Sequence, residues 1–150
     1  AGHVSGAAIQ SDASDVTSGR LARADFVFGP GNLLGSVSET AGVPTGAVME
    51  QGSNVLGDYV RFADGTQICT ATVGLDIDQA SGGLFWSGAV VHDYPLPFAD
   101  VPSASGSLQS LADGWLNGRA ASSTAWSIAG FAMQSTTVET AQLIAIGRWF

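Results

Sequence analysis

The sequence predicts an all-β fold, an antiparallel β-sandwich, on three observations. Apolar stretches are short and bounded by Gly, Pro, Asn, Asp and Ser, so turn signals recur roughly every 8 to 12 residues, the spacing of a sandwich of about six to eight strands. Twenty glycines and five prolines stand in a chain of 150 residues of which only 12% are charged, a composition that favours short strands and many turns over long helices. The third observation is the stretch Tyr59 to Val73, two alternating runs joined at Asp64-Gly65. That dipeptide supplies the positive φ angles of a two-residue hairpin. On the first run Val60 and Phe62 share one face and Tyr59, Arg61 and Ala63 the other, so one face can enter a core.

Upstream of the hairpin, residues 1 to about 24 carry Gly, Ser, Ala, Asp and Thr with few large apolar side chains. Such a segment cannot bury enough surface to hold itself in place. An extended arm, ordered by packing on neighbouring copies, is expected there. Phe26 and Phe28 precede the turn cluster Gly29-Pro30-Gly31-Asn32, Leu33 to Val37 is a second short apolar piece, and Thr40 to Thr45 reads as a loop in which Pro44 fixes the chain.

Downstream, Leu75 and Ile77 alternate with Asp76 and Asp78 on a continuing strand. The two carboxylates read as solvated charges that discourage strand addition, with a hard cation such as calcium as the alternative. Leu84 to Tyr94 is the next strand, ending where Pro95 and Pro97 block ladder hydrogen bonds. Ser103 to Leu108 is a strand, Gln109 to Ser123 a loop or short hairpin with two glycine-bearing turn signals, and Trp126 to Met133 a strand. The last strand, Thr136 to Phe150, is largely apolar on both faces, with Ile144 and Ile146 opposite Leu143 and Ala145. A strand of that kind belongs at the centre of a sheet or against another subunit.

Thirteen acidic residues face five arginines and no lysine, for a formal net charge of −8. That balance disfavours nucleic acid, which needs a basic footprint. No apolar run of about 18 or more residues is present, so no membrane insertion is expected. The mean hydropathy is nonetheless positive, which points to apolar surface buried between subunits. The single cysteine, Cys69, makes no internal disulfide and reads as a small core residue.

Catalytic patterns are weak. His3 and His92 are the only histidines, and no Gly-x-Ser-x-Gly elbow precedes a helix. Two histidines and one cysteine do not complete a closed zinc site within one subunit, although His3 on a threefold axis offers an ion site. Ten aspartates and three glutamates leave a glycosidase-type pair open, but no spacing singles one out. The expectation is a non-enzymatic protein with no cofactor, no catalytic residue and no metal. Sugar binding asks for less, an aromatic face to stack on a pyranose and a few planar polar groups to read its hydroxyls. The candidates lie near turns: Trp86, His92, Asp93 and Tyr94 around the strand that ends at Pro95, and Trp115, Asn117 and Arg119 in the glycine-bearing segment. Trp86 reads equally as a core aromatic, Trp115 as a subunit contact, and Tyr94 as structural.

Val60-Arg61-Phe62-Ala63-Asp64-Gly65-Thr66-Gln67-Ile68-Cys69 resembles the R-F-x-D-G-T-Q-I-C hairpin that opens the C-terminal head of many bacteriophage tail-fibre proteins. Tyr94-Pro95-Leu96-Pro97-Phe98-Ala99-Asp100-Val101-Pro102 is similar to the family's Y-P-x-x-F-x-x-x-P segment. Ile144-Ala145-Ile146-Gly147-Arg148-Trp149-Phe150 resembles its terminal strand, and Asp15-Val16-Thr17-Ser18-Gly19-Arg20-Leu21 with Asp25-Phe26 and Gly29 its shaft segment before the head. These motifs, in order, span nearly the whole chain. The resemblance implies a homotrimer with an extended, shaft-like arm and shaft-to-head transition over residues 1–51 and an H-type-lectin-like sandwich head over residues 52–150. It implies a place on a phage or phage-derived particle as an exposed fibre or spike, joined to the rest of the particle through the arm and attaching to a bacterial surface polysaccharide or other glycan. The alternative is a structural trimerisation or capping module with no receptor site of its own.

Overall fold

The computed structural model of the chain describes residues 9–11, 18–21, 33–109 and 113–150. Most of the expected arm, His3 and the stretch from Asp25 to Asn32 lie outside the described residues. The described residues form twelve strands: β1 (Glu39–Thr40), β2 (Val43–Pro44), β3 (Met49–Asn54), β4 (Gly57–Phe62), β5 (Thr66–Ile77), β6 (Gln79–Ser81), β7 (Leu84–Trp86), β8 (Val90–Asp93), β9 (Ser103–Leu108), β10 (Gly114–Ala120), β11 (Ala125–Ala132) and β12 (Thr136–Arg148). β1 and β2 form a small hairpin where a loop was expected, because Ala41 and Gly42 both take positive φ, 52° and 81°, the conformation of a tight two-residue turn. The main body is two five-stranded antiparallel sheets. The first has the order β3-β4-β5-β12-β9, and the second the order β10-β11-β7-β6 with β8 also paired to β11. The first sheet begins at Met49, three residues ahead of the Gly52 at which the head is expected to start.

Strand alternation builds the shared core. Along β5 the residues Gln67, Cys69, Ala71, Leu75 and Ile77 are buried, and along β12 Ala141, Leu143 and Ala145. They meet Trp126, Ile128 and Ala132 of β11, with Tyr94 and Phe98 from the loop after β8. Trp126, Ile77 and Ile128 are the largest fully buried apolar side chains, each stabilising the fold by roughly 1.5–3 kcal/mol through removal from water. The Trp126 indole crosses between the sheets and donates to the Ile144 carbonyl at 3.3 Å. β12 lies between β5 and β9, the central position its two apolar faces predict.

The β4–β5 hairpin forms where the sequence places it, with a different turn. Three residues, Ala63, Asp64 and Gly65, connect the strands, and of these only Gly65 has positive φ, 92°. The Phe62 carbonyl accepts the Gly65 N–H at 3.0 Å and the Asp64 carboxylate accepts the Thr66 N–H at 2.8 Å. The Asp64 side chain thus supports the turn in place of a second left-handed residue, and hydrogen bonding to Thr66, its backbone N–H first, holds the Asp64 carboxyl below the ordinary range. The chain end closes over the same turn: the Trp149 backbone N–H donates to Gly65 O at 3.0 Å and its indole to Phe62 O at 2.9 Å.

Two further differences bear on function. Leu84 to Tyr94 is not one strand but two, β7 and β8, lying end to end along β11. Between them Ser87 bonds twice to Gly130, its N–H donating to the Gly130 carbonyl at 3.0 Å and its Oγ accepting the Gly130 N–H at 2.9 Å, so the ladder is bridged by a side chain. Where a loop or short hairpin is expected over Gln109 to Ser123, the seven-residue strand β10 pairs with β11 along its whole length. Gly118 is not a turn residue. A Cβ there would stand 3.1 Å from the Gly106 backbone nitrogen, so the glycine allows β9 and β10 to approach at the corner where the sheets meet without a ladder between them.

Candidate functional site

β10 is the edge strand of the second sheet, and its alternation divides it cleanly. Leu116 packs against the core, whereas Trp115, Asn117 and Arg119 point outward and are exposed. On the neighbouring strand β11, Ser127, Ala129 and Phe131 share that outward face, because Trp126, Ile128, Gly130 and Ala132 are buried. Register then sets Trp115 opposite Phe131, and Phe131 opposite Trp86 of β7. The rings form a ladder across the strands. Trp115 and Phe131 have centroids 5.4 Å apart with planes 10° from parallel, and Phe131 and Trp86 have centroids 6.3 Å apart at 24°. Trp86 and Phe131 are half-buried, and Trp115, at the sheet edge, keeps 48% of its surface exposed.

Beside the ladder the face is small and polar. Asn117 pairs with Ala129, and Arg119 with Ser127, which on its other side faces Val91 of β8. With a rise of about 3.4 Å per residue, Trp115 and Arg119 stand roughly 13 Å apart along the strand, with Asn117 midway. Neither the Asn117 nor the Arg119 side chain has a hydrogen-bonding or ionic partner among the described residues. Val91 and Asp93 are exposed on the same face of β8.

No family model, curated protein or solved structure matches this chain.

The expected site residues therefore divide by strand parity. Trp86, Trp115, Asn117, Arg119 and Asp93 lie on the outward face of the second sheet. His92 and Tyr94 do not. His92 is half-buried, its ring stacked on Trp126 at 5.8 Å and its Nε2 2.8 Å from the Leu56 carbonyl, so that nitrogen carries a proton and donates it to the carbonyl. Tyr94 is a correction to the expected surface set. It is only 3% exposed, edge-on to Trp126 at 4.2 Å and to Phe98 at 4.9 Å, because it continues the inward alternation of Val90 and His92 just past the end of β8. Its hydroxyl is buried with no hydrogen-bond partner, and burial pushes its pKa up to about 12. Phe131 is the site residue that sequence reasoning missed. Its only signal is the alternation of Trp126 to Met133, which puts Phe131 on the face opposite Trp126.

Among the described residues no group of three His, Cys, Asp or Glu side chains is placed to hold a metal ion. The Asp76 carboxylate accepts the Val138 N–H at 2.8 Å. Cys69 is fully buried and its thiol is pushed up by that burial. No helix of the described residues is long and apolar enough to cross a membrane.

The outward face of the first sheet has a different chemistry. One cross-strand row runs Val60, Ile68, Ile146, Ser103, and the next runs Asp58, Thr70, Ile144, Ser105. Ile144 and Ile146 are 39% and 46% exposed, and with Ser103, Ala104 and Ser105 they line a shallow groove of about 190 Å³. Branched aliphatic and hydroxyl side chains cover this face, and Asp58 at the β4 end is the one charged residue in these two rows.

Proposed function

We propose that this chain is a non-enzymatic glycan-binding head, the exposed tip of a phage-type fibre or spike that attaches to a bacterial surface saccharide. The observation that carries the reading is the Trp115–Phe131–Trp86 ladder, ending in a half-exposed indole beside Asn117. An indole held rigid by stacked neighbours presents apolar area to a pyranose with little rotamer entropy to lose, and an adjacent amide reads hydroxyls with both a donor and an acceptor. The resemblance of the Arg61–Cys69, Tyr94–Pro102 and Ile144–Phe150 segments to fibre heads supports the biological setting and the homotrimer, with the N-terminal arm leading to the rest of the particle. The uncharged centre of the first sheet's outward face supports subunit association, since copies of a chain with net charge −8 pack best where charge is absent. Three weak sites on one rigid trimer gain about a hundredfold or more in avidity.

The test is retention on an array of bacterial oligosaccharides by the wild type and by Trp115→Ala, with oligomeric state measured in parallel by sedimentation. Binding by the wild type, lost in Trp115→Ala at unchanged oligomeric state, is expected. The aliphatic face of the first sheet favours a second reading, a trimerisation or capping module without a receptor site. A stable oligomer that retains no glycan would select it.

A further inference from the structure

Arg119 is the exposed cation of the aromatic face. Arg61 is bonded to Gln67 and lies over the Trp149 ring, and Arg148 lies over the Phe150 ring. Arg119 has no such partner among the described residues. Its cross-strand neighbours, Ser127 and beyond it Val91, carry no charge. In a protein with eight more acidic than basic residues, an arginine left unpaired on the outward face of an edge strand is a cation held available. The carboxylate on this face of β8, Asp93, pairs with Ala125, two residues along β11 from Ser127. That places Asp93 two strand spacings across and two residues along from Arg119, about 12 Å at the backbone, and no ion pair joins the two side chains among the described residues.

Resting on the glycan-binding reading above, we propose that the ligand is an acidic saccharide, in which a sugar stacked on Trp115 is linked to a unit whose single negative charge is bound by Arg119. The span of roughly 13 Å from Trp115 to Arg119 fits two to three linked sugar units, with Asn117 reaching the hydroxyls between. A guanidinium meets a carboxylate or a phosphodiester with two parallel N–H groups. Among the described residues the outward faces of β8, β10 and β11 carry no second cation, which suits one charge rather than a densely phosphorylated surface. Electrostatic attraction to Arg119 alone then offsets the general repulsion of an acidic polymer by an acidic protein.

The experiment measures binding of the full chain to three probes: a trisaccharide with one uronic acid unit, its neutral methyl ester, and a trisaccharide with one phosphodiester link. Preference for either acidic probe over the ester, weakening as salt rises from 50 to about 300 mM, is expected, and the favoured probe names the source of the charge. Arg119→Gln is expected to abolish that preference, lowering affinity for the acidic probe about fivefold to tenfold while leaving the ester unchanged. Arg119→Lys, which keeps the charge, is expected to retain the salt dependence at reduced affinity. Failure of both acidic probes to bind better than the ester, or an Arg119→Gln protein that still distinguishes them, overturns the assignment to Arg119. The glycan-binding reading fails separately, if Trp115→Ala retains oligosaccharides as the wild type does or if neither protein retains any.

Discussion

Arg61 Nε donates a hydrogen bond to Gln67 Oε1 at 2.7 Å between paired positions of β4 and β5. The amide nitrogen of that same Gln67 donates to the carbonyls of Leu96 at 3.0 Å and Pro97 at 3.3 Å. Gln67 has no exposed surface, so this one amide ties the hairpin to the proline-bearing loop that carries Tyr94 and Phe98 into the core. Gln67→Met keeps the volume, removes the hydrogen bond of Arg61 Nε and the amide donor to Pro97 O, and leaves the Leu96 carbonyl only the Cys69 thiol at 3.7 Å. A loss of about 3 kcal/mol is expected, measured as a lower urea midpoint at unchanged slope. An unchanged midpoint would show that water reaches the carbonyls and that the loop is held by its apolar contacts alone.

The Tyr94 hydroxyl gives a prediction in pH. Its folded pKa is raised to about 12 by burial, above the ordinary value of about 10. Between the two the unfolded chain has lost the proton and the folded chain still holds it, so unfolding is favoured as pH rises. The stabilising contribution is fully present below about pH 10 and is lost by about pH 12, amounting to roughly 2 kcal/mol. Tyr94→Phe is expected to flatten that part of the stability profile. At neutral pH it is expected to leave stability equal or up to about 1 kcal/mol higher, because it removes a buried hydroxyl that has no partner. Denaturation at pH 7, 10 and 11.5 measures both effects. A Tyr94→Phe protein clearly less stable at pH 7 would mean that the hydroxyl is bonded through an ordered water.

What was legible in the sequence was local. The Asp64-Gly65 turn declares itself because its chemistry sits in consecutive residues, and β12 because its alternation runs for 13 residues. The grouping of Trp115, Asn117 and Arg119 was visible for the same reason, although the segment reads as a loop. Gly114 and Gly118 look like turn residues, and the need for Gly118 comes from Gly106, twelve residues away and in the other sheet. Phe131 joins the candidate site only through the β10–β11 register, which no local pattern announces. Tyr94 sits one residue past the end of β8 and continues the inward alternation of Val90 and His92, a parity fixed only by the pairing of β8 with β11.

The close approach of β9 and β10 is testable at Gly106. A Cβ there would stand 2.7 Å from terminal methyl groups of both Leu116 and Leu143 and 2.9 Å from the Gln142 carbonyl oxygen. The leucine methyls can shift but the carbonyl belongs to the β12 backbone, so Gly106→Ala is expected to cost about 1–3 kcal/mol by overpacking. Because Leu116 carries the inward side of β10, the outward ladder should loosen as well. Near-ultraviolet circular dichroism of the stacked tryptophans is expected to weaken together with the melting temperature. A loss of stability with the dichroism intact would show that the ladder is held by β11 alone.

Ile146 sits between Ile68 and Ser103 in the first sheet's outward row, 46% exposed and with no charged residue beside it in that row. If copies of the chain associate through this face, Ile146→Asp buries a carboxylate in an apolar row of the contact, at a cost of several kcal/mol. The expected outcome is a shift from oligomer to monomer in sedimentation, with the circular dichroism spectrum of the sheets retained. Val138→Asp, at a position 78% exposed and outside the two apolar rows, is the matched control and should leave the assembly intact. A wild-type chain that sediments as a monomer at tens of micromolar, or an Ile146→Asp protein that assembles like the wild type, would remove this face from the subunit contact and require the association to use another surface.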